Sequence, residues 1–95
     1  MPKKIIYTRN VLSENELVEI KIWEIPKSND FPEGLKYSFV YVKDGIRILG
    51  YDNERKKGHH RHFKEEETET EFEGIWKLLS KFKEEVEKLS KKGDD

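Results

Sequence analysis

Every histidine of this 95-residue chain falls within four positions, in the run Gly58-His59-His60-Arg61-His62. Imidazole titrates near neutral pH and is a common metal ligand, so this concentration suits proton transfer, phosphate contact or metal binding. If the segment is extended, residues two apart point to one side and His60 and His62 face the same way. Two chemistries follow. In the first, the pair shares general-base and general-acid roles in RNA cleavage. One imidazole takes the 2′-hydroxyl proton, the other protonates the leaving oxygen, and Arg61 or Lys57 stabilises the pentacoordinate phosphate. In the second, Asp52, His60 and His62 hold a divalent metal such as zinc, with a position open for water or phosphate. The plain alternative is that the histidines are satisfied residues closing a loop. Their clustering and their basic neighbours favour a site.

The flanks separate charge by sign. Arg55, Lys56, Lys57, Arg61 and Lys64 are basic with no carboxylate among them, whereas Glu65, Glu66, Glu67, Glu69, Glu71 and Glu73 follow directly. Beside the ring faces of Tyr51 and Phe63, the basic stretch suits a phosphodiester backbone with unstacked bases, with Arg55, Lys56, Lys57 and Lys64 on phosphate. The glutamates read as a solvated face that favours a helix start and repels nucleic acid. Tyr51, Asp52, Asn53, Gly58 and His59 are supporting positions. Asp52-Asn53 also has a simple reading as a turn pair at a strand end, and Gly58 as a positive-φ redirection of the chain.

These residues need a scaffold, and the alternation of side chains describes one. Residues 5–12 and 17–25 are apolar-rich runs joined by Ser13-Glu14-Asn15-Glu16, a connection of hairpin length. Val18, Ile20 and Ile22 alternate with Glu19 and Lys21, so one face of that strand is buried. Pro26 ends it, and the turn formers of 27–35 read as a surface loop. Residues 37–42 and 46–52 form a second hairpin around Asp44-Gly45, a pair that supplies positive φ. From Phe72 the period changes, and Phe72, Ile75, Trp76, Leu79, Phe82, Val86 and Leu89 predict one buried stripe of a helix over about 71–91. Thr70 with Glu73 has capping-box spacing, Lys91, Lys92 and Gly93 suit the far end, and Glu73/Lys77, Glu84/Lys88 and Glu87/Lys91 are favourable exposed pairs. Trp23 lies off the Val18 face, where packing is the simpler reading.

Composition narrows the chemistry. Charged residues are 41% and hydrophobic residues 34%, but the net charge of −1 and 12% aromatics fit a folded domain. The Lys/Glu-rich, cysteine-free make-up is the thermophilic pattern. Without cysteine, disulfide frameworks and thiolate nucleophiles are excluded. No phosphate-loop, nucleophile-elbow or EF-hand pattern occurs, and no apolar run approaches membrane-spanning length, so the expected location is cytoplasmic.

Tyr51-Asp52-Asn53, four residues, Gly58, one residue and then His60-Arg61-His62 form a pattern that resembles the TumE-type toxin family of type II toxin-antitoxin modules. Trp23-Glu24-Ile25-Pro26 is similar to that family too, and the likeness runs from about Leu12 to the C-terminal helix. The resemblance implies a cytoplasmic toxin paired with a helix-turn-helix-type antitoxin and directed at RNA or translation. One departure is His59, which stands where an acidic residue is expected and is therefore placed as secondary. The expected fold is a single α+β domain over 1–95, an antiparallel sheet of four or five strands with the C-terminal helix on one face. The His segment supplies its last strand or an adjacent loop. The expected function is a metal-independent, cofactor-free endoribonuclease or translation-inhibiting toxin using His60, Arg61 and His62. The alternatives are the metal-dependent nuclease and a non-catalytic nucleic-acid or protein-binding module. RNA and the antitoxin are the expected partners, with homodimerisation left open.

Overall fold

A computed structural model describes residues 3–54 and 57–93, with side chains to residue 90. It contains strands β1 (Lys3–Ser13), β2 (Glu16–Glu24), β3 (Leu35–Lys43), β4 (Ile46–Glu54), β5 (Gly58–Phe63) and β6 (Glu66–Glu69), then helix α1 (Ile75–Gly93). The strands form one six-stranded sheet in chain order, antiparallel throughout. The architecture is α+β, as expected from the period-2 and period-3.6 runs, but with six strands rather than four or five.

Cross-strand partners share a face, so the register assigns every side chain to a side. Val18, Ile20 and Ile22 lie level with Tyr41, Phe39 and Tyr37, and Phe39 and Tyr41 pair in turn with Tyr51 and Leu49. All of these are buried, with Ile22, Phe39, Tyr41 and Leu49 fully so, and α1 covers them with Ile75, Leu78, Leu79, Phe82 and Val86. Phe82 meets Phe39 and Tyr51 at ring separations of 5.5 and 6.1 Å, the second edge-on. Aromatic pairs prefer tilted and edge-on contacts of this kind. The opposite face of the sheet has no covering element among the described residues. Asp44 and Gly45 turn the β3–β4 hairpin with φ of 54° and 76°, the left-handed values that open the shortest hairpins.

Three expectations change. Trp76 is 57% exposed, and Leu78 takes the inward place beside Leu79. One step from Ile75 turns a helical side chain by about 100°, which carries Trp76 out toward the polar row of Ser80 and Lys83. The Thr70/Glu73 capping box is not formed. The Thr70 amide instead donates to the His59 carbonyl at 3.0 Å, α1 begins only at Ile75, and the first helical bond runs from Leu78 N–H to the Gly74 carbonyl. Finally, part of the glutamate run is strand. Glu66–Glu69 adds β6 to the outer edge of β5, where charge discourages further pairing. The side chains of Lys91 and Lys92, and residues 94–95, lie outside the described residues.

Candidate functional site

β5 alternates, and its two sides do different things. Opposite Asn53, Tyr51 and Leu49 stand His59, Arg61 and Phe63, on the helix-covered face; opposite Asp52 and Gly50 stand His60 and His62, on the open face. The histidine run therefore separates by parity, and Arg61 is on the other side of the sheet from its two neighbours.

On the covered face the groups are satisfied. His59 accepts from or donates to Tyr37 Oη through Nδ1 at 2.7 Å and meets Glu33 Oε2 through Nε2 at 3.1 Å. A carboxylate only accepts, so Nε2 carries the hydrogen and Nδ1 accepts from the tyrosine. Its ring stacks on Phe72 at 4.1 Å. Burial raises the Tyr37 phenol above its ordinary range, with the Asp52 and Glu33 charges adding to the effect. Asn53, named above as a supporting residue, is 4% exposed; it accepts from the Tyr37 amide at 2.9 Å and donates to the Leu35 carbonyl at 2.8 Å. It is a clamp between β4 and the start of β3. Arg61 donates through Nε to Glu85 Oε2 at 3.1 Å and through Nη2 to the same oxygen, while Tyr51 Oη donates to Glu85 Oε1. Burial would raise the Glu85 carboxyl, but the bonds from Arg61 and Tyr51 outweigh it and hold the group below its ordinary value. Burial raises the Tyr51 phenol, and its bond to Glu85 adds to that. The Arg61 guanidinium is thus held by Glu85 of α1, on the face of the sheet away from His60 and His62.

On the open face, His62 Nε2 lies 3.1 Å from Asp52 Oδ2 and its Nδ1 lies 3.9 Å from Glu67 Oε2. Only 12% of the His62 side chain is exposed, so the ring is held in place by its neighbours. Bonding to the carboxylate puts a hydrogen on Nε2, so in the neutral ring the lone pair is on Nδ1. Asp52 Oδ1 is buried with no hydrogen-bond partner among the described residues. His60, level with Asp52, turns Nδ1 toward the Gly58 carbonyl at 3.1 Å. Asp52, His60 and His62 share this face, yet among the described residues no three His, Asp or Glu side chains are grouped to hold a metal ion.

Two residues of this face were not anticipated. Gly50 is the partner of His62, and a Cβ built there would stand 3.4 Å from Arg47 Cδ. The Arg47 stem therefore lies across the strand against Gly50, beside His62, at a distance that is ordinary packing contact. Arg47 reaches that side through a bulge, because the register shift after Tyr41/Leu49 makes Arg47 the partner of Val42. Neither the glycine nor the bulge has a signature in the isolated sequence. Of the expected phosphate ligands, Lys57 is exposed and 3.5 Å from Glu54, and Lys64 lies over the Phe63 ring at 5.3 Å. Arg55 and Lys56 lie outside the described residues. Gly58 opens β5 at φ 74°, the redirection read from its position.

The arrangement can orient one imidazole, supply a second a short distance along the same strand and present a guanidinium nearby. The family model described as Toxin TumE matches residues 2–90. Comparison with curated proteins and with solved structures returns no match.

Proposed function

Because the chain belongs to the TumE toxin family, and so is a toxin with a cognate antitoxin, we propose that it acts by metal-independent cleavage of RNA on the open face of the sheet. The observation that carries this reading is the Asp52–His62 pair, at 3.1 Å on an uncovered face, with the second Asp52 oxygen buried and unpartnered among the described residues. His62 Nδ1 removes the proton of a ribose 2′-hydroxyl, and Asp52 stabilises the imidazolium that forms. The 2′-oxygen attacks the adjacent phosphorus, the P–O5′ bond breaks, and His60 Nε2 delivers a proton to the departing oxygen. The products are a 2′,3′-cyclic phosphate and a 5′-hydroxyl. Arg47 replaces Arg61 as the cation for the crowded phosphate, with Lys57 at the edge. A helix-turn-helix-type antitoxin remains the proposed inhibitor.

The test is cleavage of a mixed RNA pool by purified chain, with and without chelator, beside His62→Ala and Asp52→Asn. Chelator-resistant cutting that leaves cyclic-phosphate ends is expected. His62→Ala should lose it by about a hundredfold or more, the usual scale of a general base, and retained cutting in that variant removes the mechanism. Dependence on added metal would return Asp52, His60 and His62 to consideration as ligands. Binding without turnover would make the face a docking module.

A further inference from the structure

Trp23 projects from the same uncovered face, half-buried, in a depression of about 310 Å³ lined by Lys21, Trp23, Ile25, Lys36, Tyr37 and Ser38. The register surrounds the indole with cations. Lys4 and Lys36 are its two cross-strand partners, and Lys21 stands two residues along β2, on the same side. The row of Lys21 continues through Ser38 to Asp52 and His60. Two strand spacings and two residues of rise separate Trp23 from Asp52, roughly 12 Å along the face, so one short single strand can touch both. Glu19, which meets Lys21 at 3.3 Å, is the nearest carboxylate of β2 on this side, while Glu24 turns to the other face.

The Lys4 and Lys21 ammonium groups lie over the neighbouring Tyr7 ring, each 5.6 Å from its centre, within reach of a phosphate at this edge of the face. An aromatic ring with lysines on the adjoining strands suits a planar, electron-poor ring carrying a phosphate on each side. We infer that Trp23 forms a nucleobase subsite, stacking one unpaired base of single-stranded RNA while Lys36 and Lys4 hold the flanking phosphates. The inference rests on the reading of the open face as the RNA-binding face and says where the strand lies on it. Stacking on an aromatic ring is sequence-tolerant because every base has a π-face, and the lysine contacts make binding steeply salt-dependent. The subsite holds a base away from the scissile linkage and thereby fixes the register of the strand over His62. Truncated substrates should lose turnover as well as affinity.

The experiment uses the full chain carrying Trp76→Phe, which leaves Trp23 as the sole tryptophan, and His62→Ala, so that the probe is not consumed. The probe is an adenosine ribohexamer, with inorganic phosphate as the second titrant. Expected are saturable quenching of Trp23 emission by the hexamer, none by phosphate, and, with affinity read by calorimetric titration, weakening of binding in Trp23→Ala by about five- to a hundredfold, the span of base–aromatic stacking. Lys36→Glu and Lys4→Glu, at exposed positions that do not bear on folding, should weaken it too and flatten its salt dependence. Hexamer binding with unchanged emission overturns the inference, as does unchanged affinity in the lysine variants, equal quenching by phosphate alone, or no binding. The two readings fail separately. A wild-type chain that quenches with RNA but never cuts it keeps the subsite and loses the ribonuclease, whereas cutting without quenching does the reverse.

Discussion

Glu85 receives hydrogen bonds from both Tyr51 and Arg61, and all three lie where β4, β5 and α1 meet. The Arg61 and Glu85 side chains are 29% and 23% exposed, so the pair is partly desolvated and removing one partner leaves the other short of solvent. Arg61→Ala should therefore lower stability by about 1–3 kcal/mol, read as a lower urea midpoint. RNA cleavage per folded molecule should be unchanged, because the guanidinium is on the face away from His62. A parallel loss of turnover at full folding would return Arg61 to the site. The pH dependence has a definite sign. The folded Glu85 carboxyl titrates below its ordinary value, so the unfolded chain binds the extra proton in the window between the two. Its stabilisation is complete above the unfolded value of about 4.3 and is lost as pH falls through the lower folded one. Acid titration of stability should show this limb in the parent chain and a shallower one in Arg61→Ala.

At the scale of elements, α1 is decided by which side chains turn inward. Phe82 is 0% exposed and touches both Phe39 and Tyr51, so Phe82→Ala should destabilise by about 3–5 kcal/mol. Trp76→Lys, at an exposed position one residue past Ile75, should stay within about 0.5 kcal/mol; thermal melts of both variants check the assignment. Trp76 also marks what one sequence can carry. Its hydrophobicity matched the helical period, but it stands at the edge of the apolar arc, and packing against the sheet turns Leu78 inward in its place. The strands were readable where two cues agreed, as in the alternation of Val18, Ile20 and Ile22, or Asp44-Gly45 between β-branched runs. Glu66–Glu69 carried no such cue, since glutamate is depleted in strands and β6 exists because β5 offers it an edge. The same limit governs the site. That His60 and His62 share a face follows from spacing alone, but the Arg47–Gly50 contact depends on a bulge in the β3–β4 pairing. The side of the sheet to which Arg61 turns depends on the register of β5.

For the whole molecule, the division into two faces matters more than the total charge. At a net charge of −1 the chain has no global attraction for a polyanion. The attraction that the proposed function requires would come from the open face, where Lys4, Lys21, Lys36 and Arg47 are placed by the register, with Glu67 and Glu69 marking the β6 side. On the proposed reading, a strand of RNA that follows the cations would run from Trp23 toward His62 and stop short of β6. Each phosphate contact releases condensed counterions, so the logarithm of the binding constant falls with the logarithm of salt by about 0.7 per contact for a single strand. Arg47→Ala should reduce that slope by about this amount. Lys83→Ala, on the exposed side of α1, should leave it unaltered, although both variants remove one positive charge. Measured over a range of salt concentrations, equal changes in the two variants would mean that the RNA senses only net charge. A change confined to Arg47→Ala would mean that it lies on the uncovered face, beside the Asp52–His62 pair.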